Sequence, residues 1–175
     1  MILDRVLSAV FIVNLLASTI RIATPILLPA LGEIFAEKSG ILNIGLEAQM
    51  LAGALAGFAG AYYSGNSWSG LLIGTLGGVL ISLLFAFLTI SLRADQIVVG
   101  ITLNIFSLGL TTFIYRVFFG VSVITPSVNP MSEVNIPVLS SLPYIGPILF
   151  QQKAVVYLAL LLVPLASYAL YRTMW

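Results

Sequence analysis

Between Glu47 and Arg93 the chain runs for 45 residues without one Asp, Glu, Lys or Arg. Read as helix at about 1.5 Å per residue, that is roughly twice what one crossing of a ~30 Å hydrocarbon core requires. Two spans and a turn are the simplest solution. The rest of the sequence agrees: 60% of its 175 residues are hydrophobic and 7% are charged. A soluble domain carries about 25% charge. The solvent this chain is built for is a bilayer.

The residues it lacks remove whole classes of chemistry. There is no Cys and no His. Zinc hydrolases, bis-His haem proteins, cysteine nucleophiles and Ser-His dyads therefore have no ligands or bases here, and no disulfide can form. Lys38 and Lys153 do not follow a glycine, so no phosphate-binding loop of the GxxxxGK[ST] type exists. The net charge is +1 with no basic run, which argues against nucleic acid as a partner. No enzyme activity and no cofactor are expected. The apolar start from Val6 runs on past a short signal-peptide core, with no clear small-x-small cleavage site, so no signal peptide is expected.

Five apolar segments can be drawn, and the expected fold is an all-α polytopic bundle of about five spanning helices. The first runs from about Val6 to Leu31 and contains Arg21, Pro25 and Pro29. A kink or break is expected near Pro25, since proline lacks the N–H and clashes with the preceding turn. The others are Ile41 to Tyr63, Trp68 to Leu92, Ile97 to Phe119 and Ala154 to Tyr171. Short polar turns, 64–67 and 93–96, join the second to the third and the third to the fourth. The charged stretch 33–40 reads as a connection. The link from Gly120 to Lys153 holds Pro126, Pro130, Pro137, Pro143 and Pro147, so no long helix can cross it. Its apolar middle, Leu139 to Phe150, reads as a surface or re-entrant piece. Tyr62, Tyr63, Trp68, Tyr171 and Trp175 fall at segment ends, where aromatic rings favour the headgroup boundary. Charge does not orient the chain. Lys38, Arg93 and Arg172 share one side, against Arg5, Lys153 and the nearby Arg116 on the other.

Three patterns stand out within the segments. Gly53 and Gly57, and Gly70, Gly74 and Gly78, repeat at helical spacing, so each set forms a face on which two backbones can approach. Gly100, Asn104, Ser107 and Thr111 form a small, polar stripe on the fourth segment. Such a stripe either hydrogen-bonds to another helix or lines a wet path. Glu47 sits about six residues into the second segment, with Asn43 one turn earlier. Either it faces a cavity or a partner, for which Arg21 is a candidate, or the helix starts later and Glu47 lies among the headgroups.

Two stretches carry a resemblance. One is Gly40-Ile41-Leu42-Asn43-Ile44-Gly45-Leu46-Glu47, preceded by Glu37-Lys38-Ser39. The other is Ala94-Asp95-Gln96-Ile97-Val98-Val99-Gly100-Ile101-Thr102-Leu103-Asn104. In this order and spacing they resemble the permease subunits of ATP-binding-cassette importers for simple sugars, nucleosides and branched-chain amino acids, and most closely the nucleoside and simple-sugar branch. The resemblance runs from about Ala17 onward. It implies alternating access driven by separate ATPase subunits, a second permease chain, the same or related, and a substrate-binding lipoprotein. It implies a plasma-membrane location with the N-terminus and residues 120–153 outside, and 33–40 and 93–96 inside. Asn43, Glu47, Asn104, Ser107 and Thr111 become candidates for the substrate path. In this family the segment matching Ala154–Tyr171 is followed by a loop that docks on the ATPase. The sequence ends at Met174-Trp175, so residues 1–175 are expected to be a single transmembrane permease domain cut before that coupling helix.

Rival readings make distinct demands. An ion-coupled transporter or channel subunit needs intramembrane ionisable groups, and only Glu47, Arg21 and Arg116 offer them. A structural subunit of a membrane complex needs only the glycine faces.

Overall fold

The computed structural model of the chain describes residues 8–120, 126–137 and 139–172. Five α-helices lie among the described residues: α1 (Ala9–Lys38), α2 (Leu46–Ser64), α3 (Ser67–Ala86), α4 (Gln96–Phe119) and α5 (Ala154–Arg172). Among the described residues, α1, α4, α5 and α3 with its π-helical extension to Ser91 are each long and apolar enough to cross a membrane. The 19 residues of α2 also reach the length of a span, but include Glu47, Gln49 and much glycine and alanine. The chain is an all-α, polytopic membrane protein with about five spans. Arg5, Met174 and Trp175 lie outside the described residues.

Two compact units make up the chain. One combines the residues up to Phe35 with those from Met131 onward; the other is Ala36–Pro130.

The expected break near Pro25 is absent. Helix α1 runs unbroken through Pro25 and Pro29 and on to Lys38, so the charged stretch from Glu33, expected as a connection, is helical almost to its end. Each proline removes one backbone donor, from the carbonyls of Arg21 and Pro25. Spanning helices tolerate this because nearby groups satisfy the freed backbone. No stop signal occurs after Pro29 until Gly40. There the helix ends in a Schellman closure: Gly40 N–H donates to Glu37 O and Ile41 N–H to Ala36 O, both at 3.0 Å. Gly40 takes φ +83°, a left-handed conformation that a side chain would strain.

That closure moves the start of the second helix. Residues 41–45 form a turn, and α2 begins at Leu46 rather than Ile41. Polar caps begin the next two helices. Asn66 Oδ1 accepts from Trp68 N–H at 2.9 Å at the start of α3. Asp95 Oδ1 accepts from Ile97 and Val98 N–H at 2.9 and 3.1 Å at the start of α4.

Within the Ala36–Pro130 unit, α2 and α3 pack through glycine. A Cβ on Gly74 would lie 2.9 Å from Gly53 O and 3.1 Å from Gly57 Cα; one on Gly70 would lie 2.8 Å from Gly57 O. The opposite face of α3 is leucine: Leu72, Leu76 and Leu83 are each more than 60% exposed. A small core of Ala48, Phe85, Val99 and Leu103 joins the start of α2 to α3 and α4.

In the other unit the proline-rich link forms a hairpin that periodicity did not reveal. Strands β1 (Glu133–Asn135) and β2 (Gln151–Lys153) pair antiparallel, with Val134 opposite Gln152. Between them lie a 3-10 turn, Leu139–Ser141, and a π-turn, Gly146–Phe150. Tyr157 of α5 donates its hydroxyl to Val134 O and accepts from Gln152 N–H, each at 3.2 Å. These bonds tie both strands to the helix.

Candidate functional site

The turn 41–45 lies in a chain built for lipid, where irregular backbone survives only if its polar groups are satisfied within the protein. One face of α4 does this. Gln96, Gly100 and Asn104 stand one helical turn apart. Gln96 Oε1 accepts from Leu42 N–H at 2.7 Å. Asn104 Nδ2 donates to Ile44 O at 3.0 Å, and its Oδ1 accepts from Ala48 N–H at 2.9 Å. Ala48 N–H belongs to the first turn of α2 and has no intrahelical partner, so Asn104 caps α2 from a different helix. Gly100 makes the approach possible: a Cβ there would lie 2.7 Å from Ile44 Cβ and 3.0 Å from Gly45 N. From the other side Phe85 of α3 closes on the turn, 3.2 Å from where a Gly45 Cβ would stand.

Asn43 and Glu47 fall on either side of this construction. Asn43 and Gln49 exchange amide hydrogen bonds in both directions at 3.3 Å. Glu47 is exposed in the first turn of α2, not six residues into a span, and has no hydrogen-bond or ion-pair partner among the described residues. A carboxylate there lies near the positive end of the α2 dipole.

Arg21, suggested as a partner for Glu47, is bonded within its own unit. It forms an ion pair with Glu133 at 2.9 Å, donates from Nε to Gln152 Oε1 at 2.9 Å and from Nη2 to Gln151 O at 3.3 Å. The fully buried Gln152 in turn donates to Ile148 O at 2.7 Å. The hairpin thus supplies the carboxylate and the carbonyl that a guanidinium on α1 requires.

Further along α4 the stripe divides. Ser107 is 1% exposed, and its Oγ has no hydrogen-bond partner among the described residues. Thr111 turns its hydroxyl back to Ser107 O at 2.6 Å and lies on an open, apolar cleft of about 710 Å³. Leu55, Ile73, Leu80, Tyr63 and Phe119 are among the other residues of that cleft, all from α2, α3 and α4.

The glycines are placed at close approaches of differing tightness. Gly53 and Gly57 would meet Gly74 O and Gly70 O at 3.1 and 3.2 Å, whereas Gly78 would meet only Gln49 O, at an ordinary 3.5 Å. Gly77 was not singled out in the sequence, yet a Cβ on it would lie 2.6 Å from Ala56 Cβ. Gln96 and Gln49 were also missed. Gln96 was legible, since it extends the stripe one turn before Gly100. Gln49 was not, since its partner Asn43 lies outside any helix.

Known proteins place the chain. The family described as branched-chain amino acid transport system / permease component matches residues 15–175. The putative glucose ABC transporter permease protein of Haloferax volcanii is 38% identical over 93% of this chain and 49% of its own length. The nucleoside ABC transporter permease protein of Lactococcus lactis subsp. cremoris is 36% identical over 91% of this chain and 52% of its own. The guanosine ABC transporter permease protein of Bacillus subtilis is 36% identical over 85% of this chain and 48% of its own. The chain therefore spans about half the length of the curated relatives it matches. No solved structure matches it. With the family match covering all but the first residues and relatives this similar over nearly the whole chain, the protein belongs to the branched-chain amino acid transport system permease family.

Proposed function

We propose that the chain is membrane-crossing structure of an ATP-binding-cassette importer's permease subunit, carrying a nucleoside or a simple sugar. One observation supports this reading most. The two stretches that carry the family resemblance, 40–47 and 94–104, are hydrogen-bonded into one unit through Gln96 and Asn104. They also leave one uncommitted polar side chain, Glu47, exposed at a helix start. The relatives named for glucose, nucleoside and guanosine transport support a polar, uncharged solute of the sugar or nucleoside class.

In this reading residues 1–175 belong to one transmembrane domain, and the chemistry is a change of conformation rather than of covalent bonds. Separate ATPase subunits drive the permease between two states that differ in affinity for the solute. A second permease chain completes the path, and a lipid-anchored binding protein delivers solute outside. Glu47, Asn43 and Thr111 are the side chains proposed to meet solute or its water. Asn104 and Ser107 support them from behind. Residues 33–40 and 93–96 face the cytoplasm, and the N-terminus and residues 120–153 the outside.

The test is uptake by the permease assembled with its ATPase. Glu47→Gln is expected to slow uptake while leaving the amount of protein in the membrane unchanged, and Glu47→Leu to slow it further. Full uptake by Glu47→Leu would make this carboxylate an interfacial bystander. Sidedness has its own check. Ser127→Cys is expected to react with an impermeant thiol reagent in intact cells and Ala94→Cys not to; the reverse would invert the topology.

A further inference from the structure

The amide of Asn104 is already used on both sides, and this changes what the residue can do in a transporter. Its Nδ2 donates to Ile44 O and its Oδ1 accepts from Ala48 N–H. A solute passing Asn104 would have to compete with two backbone bonds. About two turns away, Gln96 Oε1 holds Leu42 N–H. Between them Gly100 lets the turn lie on the backbone of α4, where any Cβ would strike Ile44. Three successive steps of one helix face thus grip one seven-residue segment, 42–48, by donor, acceptor and shape.

We infer that Asn104 is a positioning residue, and that Gln96, Gly100 and Asn104 make the 42–48 turn and α4 a single rigid piece that moves as one body during transport. This rests on the permease reading for its role in transport, though not for the clamp itself. Two properties follow from the chemistry. The first is that residue 104 must both donate and accept. Aspartate, with two acceptors and no donor, would face Ile44 O with an oxygen. Leucine would leave the Ile44 carbonyl and the Ala48 amide both without a partner. The second is that the grip fixes the angle at which α2 starts, and with it the directions of Asn43 and Glu47. A substitution at residue 104 would therefore slow every solute alike, because it alters the piece that moves and not the surface that discriminates.

Two measurements on the complete permease, assembled with its ATPase, test this. The first is amide hydrogen exchange. Asn104→Leu is expected to speed exchange across 42–48 by about tenfold or more, with the α3 segment unchanged. Unchanged exchange at 42–48 would overturn the clamp. General loss of protection would show that Asn104 holds the whole fold, which overturns the local claim. Gly100→Ala is the second variant, expected to loosen the same segment by pushing on Ile44. The second measurement is uptake from a mixture of two competing solutes, such as guanosine and glucose. Asn104→Asp is expected to lower both rates by the same factor and leave their ratio intact. A changed ratio would mean that Asn104 touches solute, and the positioning role would fall. If the unsubstituted permease carries neither solute while 42–48 still responds to Asn104→Leu, the transport reading fails and the clamp stands.

Discussion

Helix α2 is held along its length and at its start by different physics. Along its length it meets α3 through glycine, and what matters there is the absence of side chains: Gly53, Gly57, Gly70 and Gly74 let carbonyls and α-carbons come within van der Waals reach. At its start it meets α4 through amides, and what matters there is the presence of particular donors and acceptors on Gln96 and Asn104. Between lipid-embedded helices there is little hydrophobic driving force, so packing and polar bonds carry association. This unit uses one at the seam and the other at the turn. The two regions tolerate different changes. A seam made by removal fails when anything is added, and a turn made by complementarity fails when anything is taken away.

The largest expected effect is at the seam. Gly74→Leu must displace either Gly53 O or the Gly57 backbone, neither of which is a flexible side chain, and is expected to abolish accumulation of folded protein. Gel filtration in detergent or membrane abundance reads this out. Normal abundance would break the steric side of the comparison. Next comes Asn104→Leu, which orphans two backbone groups at about 1–3 kcal/mol each. It is expected to lower thermal stability measurably without preventing insertion. Stability equal to wild type would break the chemical side.

Smaller effects sharpen the contrast. Gly78 has only Gln49 O near it, at 3.5 Å, so Gly78→Ala is expected to be near neutral while Gly74→Ala is not. Equal cost at both would mean that glycine matters here through something other than space. The smallest concerns Arg21 and Glu133, whose side chains are 38% and 46% exposed. Partly exposed pairs contribute about 0–1 kcal/mol, and solvent screening discounts this one further. Glu133→Gln is expected to shift the melting temperature little, and less than Gln152→Ala. Gln152 is fully buried and bonds Arg21 as well as Ile148 O, so its loss leaves that carbonyl without its donor. The reverse order would give the exposed ion pair the larger share in holding the hairpin to α1.

Much of the helical plan could be read from the chain because lipid imposes it. Segment lengths, the turns at 64–67 and 93–96, and the last three helices follow from where charge, glycine and proline stop an apolar run. The first two helices were harder. Proline rules drawn from water overstate the break at Pro25, since a bilayer offers the backbone no better alternative than staying helical. The start of α2 depends on Gly40 adopting a left-handed turn, and a glycine in an apolar run does not announce its φ. The pairing of Arg21 with Glu133 joins residues far apart in sequence, and no periodicity connects them. The polar stripe from Gly100 to Thr111 was visible as a face, but the sequence could not tell whether that face was wet. The structure shows its first half bonded to a backbone turn, its Ser107 buried and its Thr111 on an apolar cleft.

In the proposed function, ATP rather than an ion gradient drives transport. The most direct measurement is uptake of labelled guanosine or glucose into proteoliposomes holding the complete permease with its ATPase and binding protein. Accumulation is expected to require ATP hydrolysis and to persist when proton and sodium gradients are collapsed. Accumulation that proceeds without ATP and stops when an ion gradient is removed would contradict the proposed function.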